Sequence, residues 1–194
     1  MDKRLISLLA GLALVSPTGA FAAEGPATNT ATADVTVIGN VASLCVLGTP
    51  SSTVIDLHQM ATTSGSRVGR IATLSADPVA IDGSFCNFGG TKLTVDATAM
   101  TNQDDGGATP QANFARAVNY TATVGSWAAT DASVTTAATA DGSSATATGT
   151  GGTLGVPKLA SLNLEVSGFQ APGDALLVAG NYRGLVRITL GPAE

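Results

Sequence analysis

Cys45 and Cys86 are the only two cysteines of the chain, and His58 is its only histidine. Those three residues bound the chemistry that the sequence can offer. A zinc site wants four nitrogen or sulfur ligands at short spacing, and two cysteines about 40 residues apart with one histidine do not supply it. A Ser-His-Asp triad would have to use His58, and no Gly-x-Ser-x-Gly elbow presents a nucleophile. Asp104-Asp105-Gly106-Gly107 lacks the calcium-loop pattern and a closing glutamate, so it reads as a solvated turn. Asp131 and Asp141 are spaced too widely to argue a pair of acid and base carboxylates. Trp127, the one tryptophan, could stack on a sugar, but a lone Trp beside a strand reads first as core or rim packing. The expectation is no catalytic residue, no metal and no cofactor: not an enzyme.

The state of the cysteines depends on where the chain goes. Asp2-Lys3-Arg4 forms a short basic start, Leu5 to Val15 is an uncharged apolar run, and Ala20-Phe21-Ala22 offers small residues where a signal peptidase would inspect them. As a helix that run would span about 16 Å against a hydrocarbon core of about 30 Å, too short for a permanent anchor. Residues 1–22 therefore read as a secretory leader cleaved before Ala23, with no membrane anchor left after cleavage. An even cysteine count in an exported chain most simply means one disulfide, Cys45–Cys86, the alternative being two free buried thiols. Closing a loop of about 40 residues would stabilise the fold by roughly 4 kcal/mol in the chain-entropy model.

Removing the leader leaves about 170 residues, one domain's worth and enough for a sizeable core. Losing Asp2, Lys3 and Arg4 takes the net charge from −5 to about −6. A sparse acidic balance argues against nucleic acid, whose phosphates call for clustered Lys and Arg. Charged residues are only 12% of the chain, so it lacks the high charge density of disordered segments.

The elements that would position these residues are strands. Residues 23–32 are small and polar, a lead-in. From Ala33 to Val41 the odd positions carry Ala33, Val35, Val37, Gly39 and Val41, a period-2 alternation that Ile38 interrupts. Further strands are expected at Thr53–Leu57, Gly69–Leu74, Val79–Phe85 and Lys92–Ala97, then at Phe114–Val124, Leu159–Val166 and Tyr182–Leu190. Residues 101–110 read as a loop, and 137–153 as a long surface loop or a weak edge hairpin. Short strands at regular spacing, with no βαβ rhythm, predict an all-β sandwich.

Taken in order, these features resemble a known family. An alternating strand (Val35, Val37, Gly39, Val41) lies just before a cysteine, and a second cysteine follows at a strand end in Gly83-Ser84-Phe85-Cys86. Gly180-Asn181-Tyr182 opens the last strand. The layout is similar to the pilin subunits of chaperone–usher fimbriae, including spore-coat-protein-U-like relatives. The resemblance implies an immunoglobulin-like sandwich that lacks its last strand, over residues 45–194, with 23–44 as an extension that fills the groove of a neighbouring subunit. Partners would be other pilin copies, a periplasmic chaperone and an outer-membrane usher. The destination would be a cell-surface fimbrium reached through the periplasm. Val35, Val37 and Val41 would fill pockets and Gly39 would sit where the groove is tight. Tyr182, Val186, Ile188 and Leu190 would belong to the edge strand beside the groove. The chain departs from the family in its last residues, Gly191-Pro192-Ala193-Glu194, where many members carry an aromatic that chaperone and usher recognise. The residues alone leave a second reading open. Val35–Val41 could be an ordinary first strand of a self-complete exported sandwich that binds a glycan or protein.

Overall fold

The computed structural model describes residues 30–194. The leader expected at residues 1–22 and the start of the lead-in lie outside the described residues. Residues 30–40 and the compact body Val41–Glu194 are separate units.

The body is all-β. It runs β1 (Cys45–Val46), β2 (Thr49–Pro50), β3 (Val79–Cys86), β4 (Thr91–Asn102), β5 (Phe114–Ala115) and β6 (Ala117–Gly125). It continues with β7 (Ala132–Thr135), β8 (Ala147–Thr150), β9 (Lys158–Gln170), β10 (Leu176–Leu177) and β11 (Tyr182–Pro192). The main sheet is antiparallel, in the order β1-β3-β9-β6-β4-β11, with β2 on β3, β7 on β6 and β8 on β4. It curls into two layers. β6 pairs with β9 and β7 over most of its length, but its first residues, Ala117 and Val118, pair with Thr101 and Met100 of β4. That corner carries β4, β8 and β11 over the other strands, giving the sandwich-like arrangement.

Alternation decides which side chains fill the space between the layers. Leu93, Val95 and Ala97 of β4, Val118, Tyr120, Ala122 and Val124 of β6, and Leu162, Leu164 and Val166 of β9 all point inward and are buried. Trp127 is in the same core, its indole Nε1 donating to Thr91 Oγ1 at 3.2 Å, so the ring packs and does not present a sugar platform. Arg116, the charge admitted on the buried face of the Phe114–Val124 run, is paired with Asp105 and donates to the Asn102 carbonyl at 3.1 Å. A buried guanidinium without a carboxylate would be costly, and this pairing is what makes Arg116 tolerable there.

Several expectations are corrected. Ala33–Val41 forms no strand, and Thr53–Leu57 forms none either, because neither segment has a strand partner among the described residues. Gly69–Leu74 is reduced to isolated bridges at Arg70 and Ile71. The Phe114–Val124 run is broken at Arg116, which leaves Phe114 exposed at the parallel pairing of β5 with β10. In the 137–153 stretch the hairpin alternative is the one seen: Ala138 bridges Ser144, and β8 pairs Ala147–Thr150 with Thr94–Ala97.

Candidate functional site: an apolar groove beside a free strand edge

β11 begins at Tyr182 because Gly180 (φ 144) and Asn181 turn the chain beside Asn102, whose side-chain Nδ2 donates to the Ala179 carbonyl at 2.9 Å. Asp104 accepts both the backbone and side-chain N–H groups of Asn181 (2.7 and 2.9 Å). The Asp104–Asp105 turn is thus a fastener between the end of β4, Arg116 and the start of β11.

From there β11 runs antiparallel to β4, with Val186 opposite Ala97, Ile188 opposite Val95 and Leu190 opposite Leu93. Paired residues share a face, so the apolar parity of β11 points at the same core as that of β4. A bulge interrupts the ladder between Arg183 and Leu185. Glycine is required at its centre: a Cβ on Gly184 would stand 2.9 Å from the Thr98 carbonyl oxygen. The Tyr120 hydroxyl reaches into the bulge, within hydrogen-bond distance of the carbonyls of Thr98 (2.8 Å) and Leu185 (3.1 Å). Burial pushes the Tyr120 hydroxyl pKa up to about 12, since the phenolate would lose its water.

Among the described residues, β11 pairs with β4 alone, and its other edge is free. Beside that edge lies a cleft of about 760 Å³. One wall is β11 from Tyr182 to Ile188; the other is the segment from Leu47 to Leu57, contributing Val54, Ile55 and Leu57. Its floor is apolar: Val79 and Ile81 of β3, Leu164 and Val166 of β9, with Tyr120 and Phe169. An exposed strand edge over an apolar floor offers backbone hydrogen bonds and side-chain pockets to an added strand.

The Leu47–Leu57 wall has few ties to the sheet. β1 places Cys45 directly opposite Cys86, and the two form the expected disulfide. Gly48 N–H donates to Ser84 Oγ at 3.0 Å, and Ser51 exchanges bonds with Ala80 at 2.7 and 3.1 Å. Gly48 passes so close to the Asp82 carbonyl that no side chain would fit there. Beyond Ser51 the wall has no partner strand, although Ile55 and Leu57 are half-buried against the core.

The residues singled out from the sequence fall into two groups. Tyr182, Val186, Ile188 and Leu190 share the inward face of β11, all half-buried, and the first three line or border the groove. Val35, Val37 and Val41 are exposed at 86%, 91% and 84%, and Gly39 lies in the same exposed segment. His58 is exposed next to Asp56. Sequence reasoning missed the wall from Leu47 to Leu57; the only available signal was Thr53–Leu57, a short apolar run read as a strand. Against known proteins, the chain matches no family model, no curated protein and no solved structure.

Proposed function

We propose that this chain is a structural subunit of a bacterial surface fibre, polymerising when the N-terminal segment of one copy lies along the groove of the next. One observation carries the reading: the open apolar groove beside the unpaired edge of β11. In this reading the sandwich is an immunoglobulin-like fold short of one strand, and residues 33–41 supply that strand to a neighbour. Val35, Val37 and Val41 share a parity and would enter the groove, while Gly39 keeps the backbone close. A seven-residue strand spans about 23 Å, a length that β11 can accompany.

Exposed valines on a segment that forms no strand suit a part designed to be buried elsewhere. The disulfide between Cys45 and Cys86 suits an oxidising route through the periplasm. On the same route a chaperone would cover the groove before assembly and an usher would order the subunits, the fibre then serving adhesion or biofilm. No enzymatic step is part of this function.

Deleting residues 23–42 tests it. The shortened chain should fold, with an unchanged far-ultraviolet circular dichroism spectrum, yet fail to polymerise in sedimentation. If the deletion unfolds the monomer, the segment is a core strand of its own domain and the self-complete sandwich is the right description.

A further inference from the structure

The root of the N-terminal segment is held more firmly than its position before a two-residue strand would suggest. Asn87 brackets it: the side-chain Nδ2 donates to the Ala42 carbonyl (2.8 Å), Oδ1 accepts the Leu44 N–H (2.7 Å), and the Asn87 N–H donates to the Leu44 carbonyl (3.0 Å). The next residue, Cys45, is covalently tied to Cys86. The body of the subunit therefore grips the chain from Ala42 onward, while the apolar parity that would enter a neighbour's groove ends at Val41.

That leaves no slack. A residue spans at most about 3.5 Å, so a copy that receives Val41 in its groove must meet the surface around Ala42 of the donor. On that surface lies an apolar row, exposed at both ends and half-buried at its middle residue, Phe85. Val46 of β1 is opposite Phe85 of β3, and Phe85 is opposite Leu159 of β9, so the three side chains share one face. It is the outer face: Cys86, the next residue along β3, is buried, whereas Leu159 is 73% exposed and Val46 37%. Leu44 is exposed beside them. A receiving copy has apolar counterparts on its groove walls, where Val54 and Leu185 are both exposed.

We propose that the row Val46–Phe85–Leu159 is a docking surface for the groove walls of the next copy of this chain, making each joint of the fibre a two-part contact of inserted strand and packed bodies. The inference rests on the strand-insertion reading given above. The contact is head-to-tail, between different patches on the two copies, and so can repeat from copy to copy along a fibre. Because the Asn87 bracket and the disulfide fix the exit of the segment, the joint is stiff.

The test uses the full chain from Ala23 and a synthetic peptide of residues Ala33–Leu44, with self-association read by sedimentation velocity and peptide affinity by fluorescence anisotropy. Leu159→Glu should leave peptide affinity and the melting temperature of the monomer unchanged, yet weaken self-association at least tenfold. Inserting Gly-Ser-Gly-Ser between Val41 and Ala42 should abolish the sensitivity to Leu159→Glu, because slack lets the bodies separate. Unchanged self-association of Leu159→Glu, or absent self-association of the unmodified chain beside intact peptide binding, overturns the docking surface and leaves the groove reading standing. Failure of the unmodified chain to bind the peptide overturns both.

Discussion

β4 and β11 are neighbours in one sheet with matched alternation, yet they end up in different environments. Leu93, Val95 and Ala97 of β4 are 2%, 0% and 1% exposed, whereas their cross-strand partners Leu190, Ile188 and Val186 are only half-buried. Their sequences do not account for this, since the β11 residues are at least as apolar. The difference is in what flanks them. β4 has β8 and β6 on one side and β11 on the other. β11 has β4 on one side and, on the other, a cleft whose far wall is a segment without a strand partner. A strand can thus be fully specified by its pattern and still be unfinished, because burial needs a second flank. Half-covered apolar area of this kind holds back stabilisation, at about 25 cal/mol per Å², that an added strand would release.

The contrast can be broken most forcefully from the far wall. Replacing Cys45 and Cys86 by serine should cost about 4 kcal/mol in urea unfolding, as expected for freeing a loop of this length. In hydrogen exchange the amides of Leu47–Leu57 should speed up much more than those of β4. Next comes a matched pair of truncations. Val95→Ala should cost about 2–3 kcal/mol because the site is closed on all sides, and Ile188→Ala about 1 kcal/mol because its site is half open. Saturating the groove with the Ala33–Leu44 peptide should narrow that gap, as Ile188 becomes a core residue.

The smallest effect tests the pin between the two strands. Tyr120→Phe removes the hydroxyl that reaches the carbonyls of Thr98 on β4 and Leu185 on β11, and should cost about 1 kcal/mol. It also has a pH signature. Burial raises the Tyr120 pKa to about 12 from 10.0, so between those values the unfolded chain gives up the proton while the folded one keeps it. Stability is unaffected by this group below pH 10 and falls as pH rises from 10 toward 12. Tyr120→Phe should flatten part of that decline, with Tyr182, whose pKa burial also raises, accounting for some of the remainder.

β4 and β11 were legible in the sequence from their alternation, and β3 and β9 from short apolar runs bounded by turn residues. The disulfide was legible from cysteine count and the expected compartment. β1, β2 and β10 were not, since two residues carry no period and exist only because a neighbour pairs with them. Thr53–Leu57 and Ala33–Val41 mark the opposite failure. Ala33–Val41 alternates as strands do and Thr53–Leu57 is a short apolar run, but such patterns record which side chains seek apolar cover, not whether a backbone partner is at hand. In Thr53–Leu57 that cover is the groove, with Ile55 and Leu57 turned to the core. The groove itself spans segments more than a hundred residues apart, so no local pattern could announce it. Tyr182, Val186 and Ile188 lie on an alternating strand that a local pattern can pick out; the wall that faces them carries no such pattern.

In the proposed reading, the cleft beside β11 takes a strand from a neighbouring copy. Thermal unfolding of the purified chain with and without the synthetic Ala33–Leu44 peptide tests it most directly. At a peptide concentration about 100-fold above its dissociation constant, binding to the folded state alone adds about 2.7 kcal/mol. In a domain of this size that shifts the melting temperature upward by about 5–10 °C. A scrambled peptide of the same composition should do nothing. An already stable protein whose melting temperature does not move with the native peptide would contradict the account.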